Sequence, residues 1–147
     1  MKIAVRYQSR GGNTRTAAEV IAECAGVKAE PINTPLTEPV DLLFLGGGVY
    51  MWDADPQLTA YLKEADADKI GLIAAFSTTG AMKKTVTRIT EYAHKAGIKT
   101  TENQLCLKML LRGHKALRRE GGRLTEKQIA KIKRFVSEVI EKLKKEI

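Results

Sequence analysis

A chain of 147 residues with 44% apolar and 29% charged side chains has the size and balance of one ordinary globular domain, long enough to bury a sizeable core. No apolar run approaches the ~20 residues needed to cross a bilayer, so a membrane-spanning segment is not expected. The formal charge of +8 is uneven: residues 1–50 carry five basic and five acidic side chains, residues 51–105 seven of each, and residues 106–147 thirteen basic against five acidic. Such a one-sided excess suggests an acidic partner or an anionic surface, although lysines on the solvated side of a helix give the same count; nucleic acid is not the expected partner.

In chain order, Met1-Lys2-Ile3-Ala4-Val5-Arg6 interrupts its apolar run with charge and lacks a small-residue cleavage site. It reads as a first strand, Ile3 to Tyr7, and not as a signal peptide. From Thr14 to about Cys24 a helix is expected, with Ala17, Ala18, Ile21, Cys24 and Ala25 on one face. Val27 to Asn33 is a weaker strand, and Pro31 marks it as an edge or a strand end. Val40 to Leu45 reads as a buried strand stopped by Gly46-Gly47-Gly48. Only about seven residues, Thr34 to Val40, two of them proline, join these strands, so any helix there is expected to be short or vestigial. A helix from about Pro56 to Ala65 follows, with Asp55 as its cap and Pro56 in its first turn.

Ile70 to Phe76 predicts the next strand, then Ser77-Thr78-Thr79-Gly80, then a helix to about Ala96 closed by Gly97. The last strand falls within Lys99 to Leu107. Residues 108–123 read as a basic, irregular segment, and Thr125 caps a final helix with Ile129, Ile132, Val136, Val139, Ile140, Leu143 and Ile147 on one face. Strands alternating with helices predict a single α/β domain over 1–147, a parallel sheet covered on both faces. Cys24 and Cys106, far apart and without CxxC spacing, read as reduced core thiols of a cytoplasmic protein. His94 and His114 read as surface residues. No GxxxxGK[ST] or HExxH motif is present, and the ends of the first and third strands lack the carboxylates of a response regulator.

In an open α/β sheet the ligand sits beyond the carboxyl ends of the strands, which brings together loops 8–14, 46–55 and 77–82. Gly11 and Gly12 allow backbone to approach an anion, Ser9 and Thr14 offer hydroxyl donors, and Asn13 can brace the loop. The helix that starts there supplies partial positive charge without a lysine. A plain Gly-Asn turn before a Thr-capped helix would read the same way. Ser77, Thr78 and Thr79 equally suit a helix N-cap, and Trp52 a hydrophobic lid.

Tyr7-Gln8-Ser9-Arg10-Gly11-Gly12-Asn13-Thr14 resembles the phosphate loop of flavodoxins, usually Ser/Thr-x-Thr-Gly-Asn-Thr, with Gly11 where the family usually has Thr. Gly46-Gly47-Gly48-Val49-Tyr50-Met51-Trp52 resembles the second flavin loop of short flavodoxin-domain proteins, and Phe76-Ser77-Thr78-Thr79-Gly80 is similar to a third. The resemblance implies a flavodoxin-like three-layer sandwich with strand order 2-1-3-4-5 and non-covalently bound FMN. It implies cofactor contacts from Ser9, Arg10, Gly11, Gly12, Asn13, Thr14, Gly47, Gly48, Val49, Tyr50, Met51, Trp52, Ser77, Thr78, Thr79 and Gly80. Tyr50, Met51 and Trp52 would be plates for the isoalloxazine ring, and no catalytic residue or metal is required. Electron transfer is the leading expectation, with an acidic redox protein docking on segment 108–123. An FMN-dependent quinone or nitro reductase, a protoporphyrinogen-oxidase-like enzyme and a flavin-free binding module are the alternatives; oligomeric state is left open.

Overall fold

A computed structural model describes residues 1–79, 83–110, 115–116, 119–120 and 122–146. Its elements are β1 (Ile3–Tyr7), α1 (Asn13–Ala25), β2 (Ala29–Pro31), β3 (Leu42–Gly47), β4 (Val49–Tyr50), β5 (Asp53–Ala54), α2 (Pro56–Lys63), β6 (Leu72–Ser77), α3 (Lys84–Lys95), β7 (Lys99–Thr100), β8 (Leu105–Cys106), β9 (Lys115–Ala116), β10 (Arg119–Glu120) and α4 (Glu126–Glu146). The main sheet is parallel in the order β2-β1-β3-β6-β7, with β8 also on β6. This is the α/β order expected, except that the last strand is broken into two pieces. Between them Thr101 turns its hydroxyl to the Asn103 carbonyl at 2.6 Å, and the chain loops out before rejoining the edge. The segment expected to be irregular contains a short antiparallel pairing of β9 with β10. Gly80, His114 and Ile147, named above, and Arg112 and Arg118 of the basic segment lie outside the described residues. No helix among the described residues is long and apolar enough to cross a membrane.

Alternation along the strands divides the core between two faces. Val5, Leu42, Phe44, Ala74 and Phe76 point toward α1 and α4, where they meet Ile21, Ile132, Phe135 and Val136. Leu43, Leu45, Ile73 and Ala75 point the other way, onto Leu58 and Leu62 of α2 and Val86 and Ile89 of α3. Both faces being buried, β3 reads as an unbroken apolar run. Phe44 meets Phe135 edge-to-face, centroids 5.7 Å apart. Gly46 is a packing glycine: a Cβ there would lie 2.3 Å from the Phe76 ring.

The helix ends follow local rules. Asp55 accepts from the Gln57 amide ahead of Pro56, Gly26 and Gly97 close α1 and α3 at positive φ, and Thr125 and Gln128 form a reciprocal capping box on α4. Cys24 departs from expectation. The buried stripe of α1 is Thr14, Ala17, Ala18, Ile21 and Ala22, and Cys24 lies on its flank, exposed. Ser77, Thr78 and Thr79 do not cap a helix either, because α3 begins at Lys84 without a side-chain cap.

The crossover from β2 to β3 carries no helix at all, and a buried arginine takes over its support. Arg6, in the middle of β1 and 6% exposed, donates from Nε to the Thr34 carbonyl at 3.0 Å and from Nη2 to the Pro35 carbonyl at 3.4 Å. Its Nη1 reaches the Val5 carbonyl, and Glu30 on β2 supplies the counter-charge at 3.3 Å. These bonds pin the connection over the sheet while Ile32 and Leu36 seal the apolar layer beneath. Arg6→Ala should destabilise the fold by about 2–4 kcal/mol, since it strands two carbonyls and opens a cavity. Arg6→Lys should recover only part of that, lacking the planar fork. Urea unfolding of the three proteins checks both.

Candidate functional site

Beyond the carboxyl ends of β1, β3 and β6, three loops enclose a cleft of about 540 Å³, within the ~300–1,000 Å³ usual for small-molecule sites. The first loop leaves β1 and turns into α1 at Gly12, whose φ of 93° is a left-handed value that glycine adopts without penalty. Ser9 Oγ accepts the Gly12 amide at 3.0 Å, and Thr16 bonds back to the Gly12 carbonyl. α1 opens with no side-chain cap and no acidic residue in its first turn. Its first amides therefore remain available to an anion. A Cβ built on Gly11 would meet nothing within 4 Å.

The second loop is the hairpin β4–β5. Tyr50 pairs with Asp53, leaving Met51 and Trp52 as a two-residue turn at φ 53° and 69°. That turn type favours glycine or asparagine, and side chains held there cost roughly 1–3 kcal/mol each. The hairpin is accordingly tied down at several points. Thr79 Oγ accepts the Val49 amide at 3.2 Å, the buried Thr85 of α3 donates to the Gly48 carbonyl at 3.1 Å, and Arg88 pairs with Asp53 at 3.1 Å. The Ala54 amide and Arg88 hold the Asp53 carboxyl below its ordinary pKa.

Arg10 crosses from the first loop to the second. Its Nε and Nη2 donate to the two carboxylate oxygens of Asp55, at 2.7 and 3.2 Å, and its guanidinium carbon lies 3.8 Å from the centre of the Tyr50 ring. Burial works to raise the pKa of Asp55, whose side chain is 5% exposed, but Arg10, the Gln57 amide and Gln8 outweigh it and bring the carboxyl below its usual range.

The third loop follows β6. Ser77 is fully buried and its Oγ accepts the Thr79 amide, while Thr78 meets Thr14 hydroxyl to hydroxyl at 3.0 Å. A fourth wall was not anticipated. Residues 107–110 run beside this loop: the Leu107 amide donates to the Ser77 carbonyl, Lys108 bridges Thr79, and the Met109 amide reaches toward Thr78. Asn13 then donates from Nδ2 to the Leu110 carbonyl at 2.8 Å, and Gln128 donates from Nε2 to the Lys108 carbonyl at 2.7 Å. The buried Asn13 Oδ1 has no partner among the described residues.

Of the residues singled out from the sequence, Ser9, Arg10, Gly11, Asn13, Thr14, Gly48, Val49, Tyr50, Trp52, Thr78 and Thr79 line the cleft. Four described ones do not. Gly12 forms the turn into α1, Gly47 is packed against Leu58 inside β3, Ser77 is buried beneath its own loop, and Met51 projects outward at 79% exposure. Gln8, Asp55, Lys108 and Met109 line the cleft without having been named as ligand contacts. Gln8 and Asp55 border the loops in sequence and were within reach of such a reading; Lys108 and Met109 arrive only through tertiary pairing.

The flavodoxin domain model matches residues 4–146. No curated protein sequence matches the chain. Oxidised Flavodoxin 2 from Bacillus cereus superposes with a TM-score of 0.69 at 20% identity, over 97% of this chain and 99% of that one. A flavodoxin from the domain Archaea gives 0.66 at 20% identity, over 98% and 99%. The Flv1 flavodiiron core from Synechocystis gives 0.69 at 17% identity, over 99% of this chain but 36% of its own. At these identities the structural matches establish the common fold.

Asp55 supplies both a helix cap and an ion pair, and substitution separates the two. Asp55→Asn keeps the cap and loses the charge; Asp55→Ala loses both and should be less stable than the Asn variant by about 1 kcal/mol. Because folding lowers the Asp55 pKa, its contribution is complete above the unfolded value near ~3.9 and is lost as pH falls through the folded one. The stability gap between the parent and Asp55→Asn should therefore close between neutral pH and strong acid. Denaturant midpoints measured across that range check it.

Proposed function

The chain belongs to the flavodoxin domain family, and from this we propose that it binds FMN in the cleft and passes electrons between protein partners. The observation that carries the reading is the uncapped start of α1. Unpaired helix amides, open space at Gly11 and the unpartnered Asn13 Oδ1 converge there, a cradle suited to a ligand with both an anionic group and hydroxyl donors. The residues present thus fit a flavin mononucleotide. Ser9, Gly11, Asn13 and Thr14 would hold its phosphate and ribityl end, with Gly12 shaping the turn. Gly48, Val49, Tyr50, Trp52, Thr78, Thr79 and Met109 would border the ring. When bound, the flavin supplies one- and two-electron chemistry, while the chain positions it and excludes water.

A partner surface would surround the mouth. Exposed Lys83 and Lys84 at the start of α3, Lys108 on the fourth wall and Lys131 on α4 accompany the exposed Met51 and Trp52. An acidic redox protein suits this combination, cations for steering and an apolar tip for contact.

The test is calorimetric titration of FMN and riboflavin into apoprotein. Gly11→Val projects a side chain into the space the phosphate would use. It should weaken FMN at least about tenfold and riboflavin much less, a difference of ~1.4 kcal/mol or more. Unchanged FMN affinity overturns the phosphate cradle. Electron-transfer rates with acidic donor proteins should fall as salt rises from about 20 to 300 mM, through screening of the lysines; a flat profile removes them from docking.

A further inference from the structure

Arg10 belongs to the loop assigned above to the phosphate, yet two of its guanidinium donors, Nε and Nη2, and its planar face are engaged elsewhere. Both carboxylate oxygens of Asp55 accept from it, in a two-point pair with a carboxylate that is almost entirely buried, and the opposite demand on its planar face is met by Tyr50. A phosphate drawing Arg10 to itself would strip a buried carboxylate of its cation, leaving it only the Gln57 amide and Gln8, which is a heavy penalty. A cation serving only the phosphate would gain nothing from that arrangement. What the arrangement does accomplish is mechanical. Tyr50 ends β4 and Asp55 follows β5, so one side chain fastens the first loop to both strands of the hairpin. The turn between those strands, Met51–Trp52, sits in a backbone conformation that persists only if its surroundings hold it.

We infer that Arg10 is a positioning residue, a latch that fixes the aromatic hairpin beside the cleft, and not a phosphate ligand. The inference rests on the FMN reading given above. It assigns Arg10 to the ring-binding side of the site despite its place in the phosphate loop. Removing the latch costs affinity for any flavin, whether or not it carries phosphate, whereas removing a phosphate ligand costs affinity for FMN alone. The latch is also a property of the protein before any ligand arrives, so the hairpin should loosen in the apoprotein.

The experiment uses the apoprotein of the parent, Arg10→Gln, Asp55→Asn and the double variant. FMN and riboflavin are titrated into each, and the steady-state anisotropy of Trp52, the single tryptophan, is read without ligand. Far-UV circular dichroism verifies folding; Asp55→Asn, which retains the α2 cap, gives a second route should Arg10→Gln fold poorly. Both single variants should weaken FMN and riboflavin by the same factor, about tenfold, and lower the Trp52 anisotropy. The double variant should be no weaker than either single, because the two residues form one device. Loss of FMN affinity with riboflavin unaffected would overturn the inference by making Arg10 a phosphate ligand. Unchanged affinities, or an unchanged anisotropy, would overturn it by making the pair idle. A parent chain binding neither flavin would overturn the FMN reading itself, and this inference with it; that outcome is distinct from all the others.

Discussion

The central strands of this sheet are buried on both faces, so their side chains cannot reach a ligand without disturbing the core. Polar backbone is released only where strands stop, and the strands are parallel, so β1, β3 and β6 stop on the same side. Everything chemically useful is therefore concentrated in the short connections at that edge. The fold does not need to bring distant segments together for a site to exist; it needs only to keep three neighbouring loops from collapsing on one another.

Side chains from one loop bonded to another provide that separation. Thr14 with Thr78, Thr79 with Val49 and Arg10 with Asp55 each join two of the three loops, and Asn13 reaches the fourth wall at Leu110. Most of these links are neutral, so they do not set up a strong local field at the uncapped helix start. The charged link, Arg10 with Asp55, is locally self-cancelling. Among the described residues, Lys83, Lys84, Lys108 and Lys131 are exposed.

Much of this could be read from the sequence where the cause is local. The central strands, the Asp55 cap before Pro56, the stop at Gly97 and the Thr125 cap are set by residues within a turn of one another. The first loop was legible for the same reason, since glycines and hydroxyls at the end of an apolar run specify a turn into a helix. What was hidden depends on partners distant in the chain. Gly46 and Gly47 look like a flexible approach to a ligand, but serve Phe76 and Leu58. Lys108 and Met109 look like the start of a basic tail, but pair with the 77–79 loop across about thirty residues of sequence. Cys24 keeps helical rhythm with Ile21 yet falls beside the buried stripe. Arg6 resembled an interruption of a strand, and its purpose is evident only once the helix-free crossover lies above it.

Gln128 links two parts of the molecule that are usually treated separately. Its Oε1 accepts the Thr125 amide and closes the start of α4, while its Nε2 holds the carbonyl of Lys108 on the cleft wall. The first turn of the longest helix and one side of the cavity consequently share a single amide group. Fraying of that turn removes one of the bonds that hold the wall, and by thermodynamic reciprocity whatever orders the wall slows the fraying. Amide hydrogen exchange in the opening turn of α4 thus becomes a remote gauge of cleft occupancy, readable on residues that never touch the occupant.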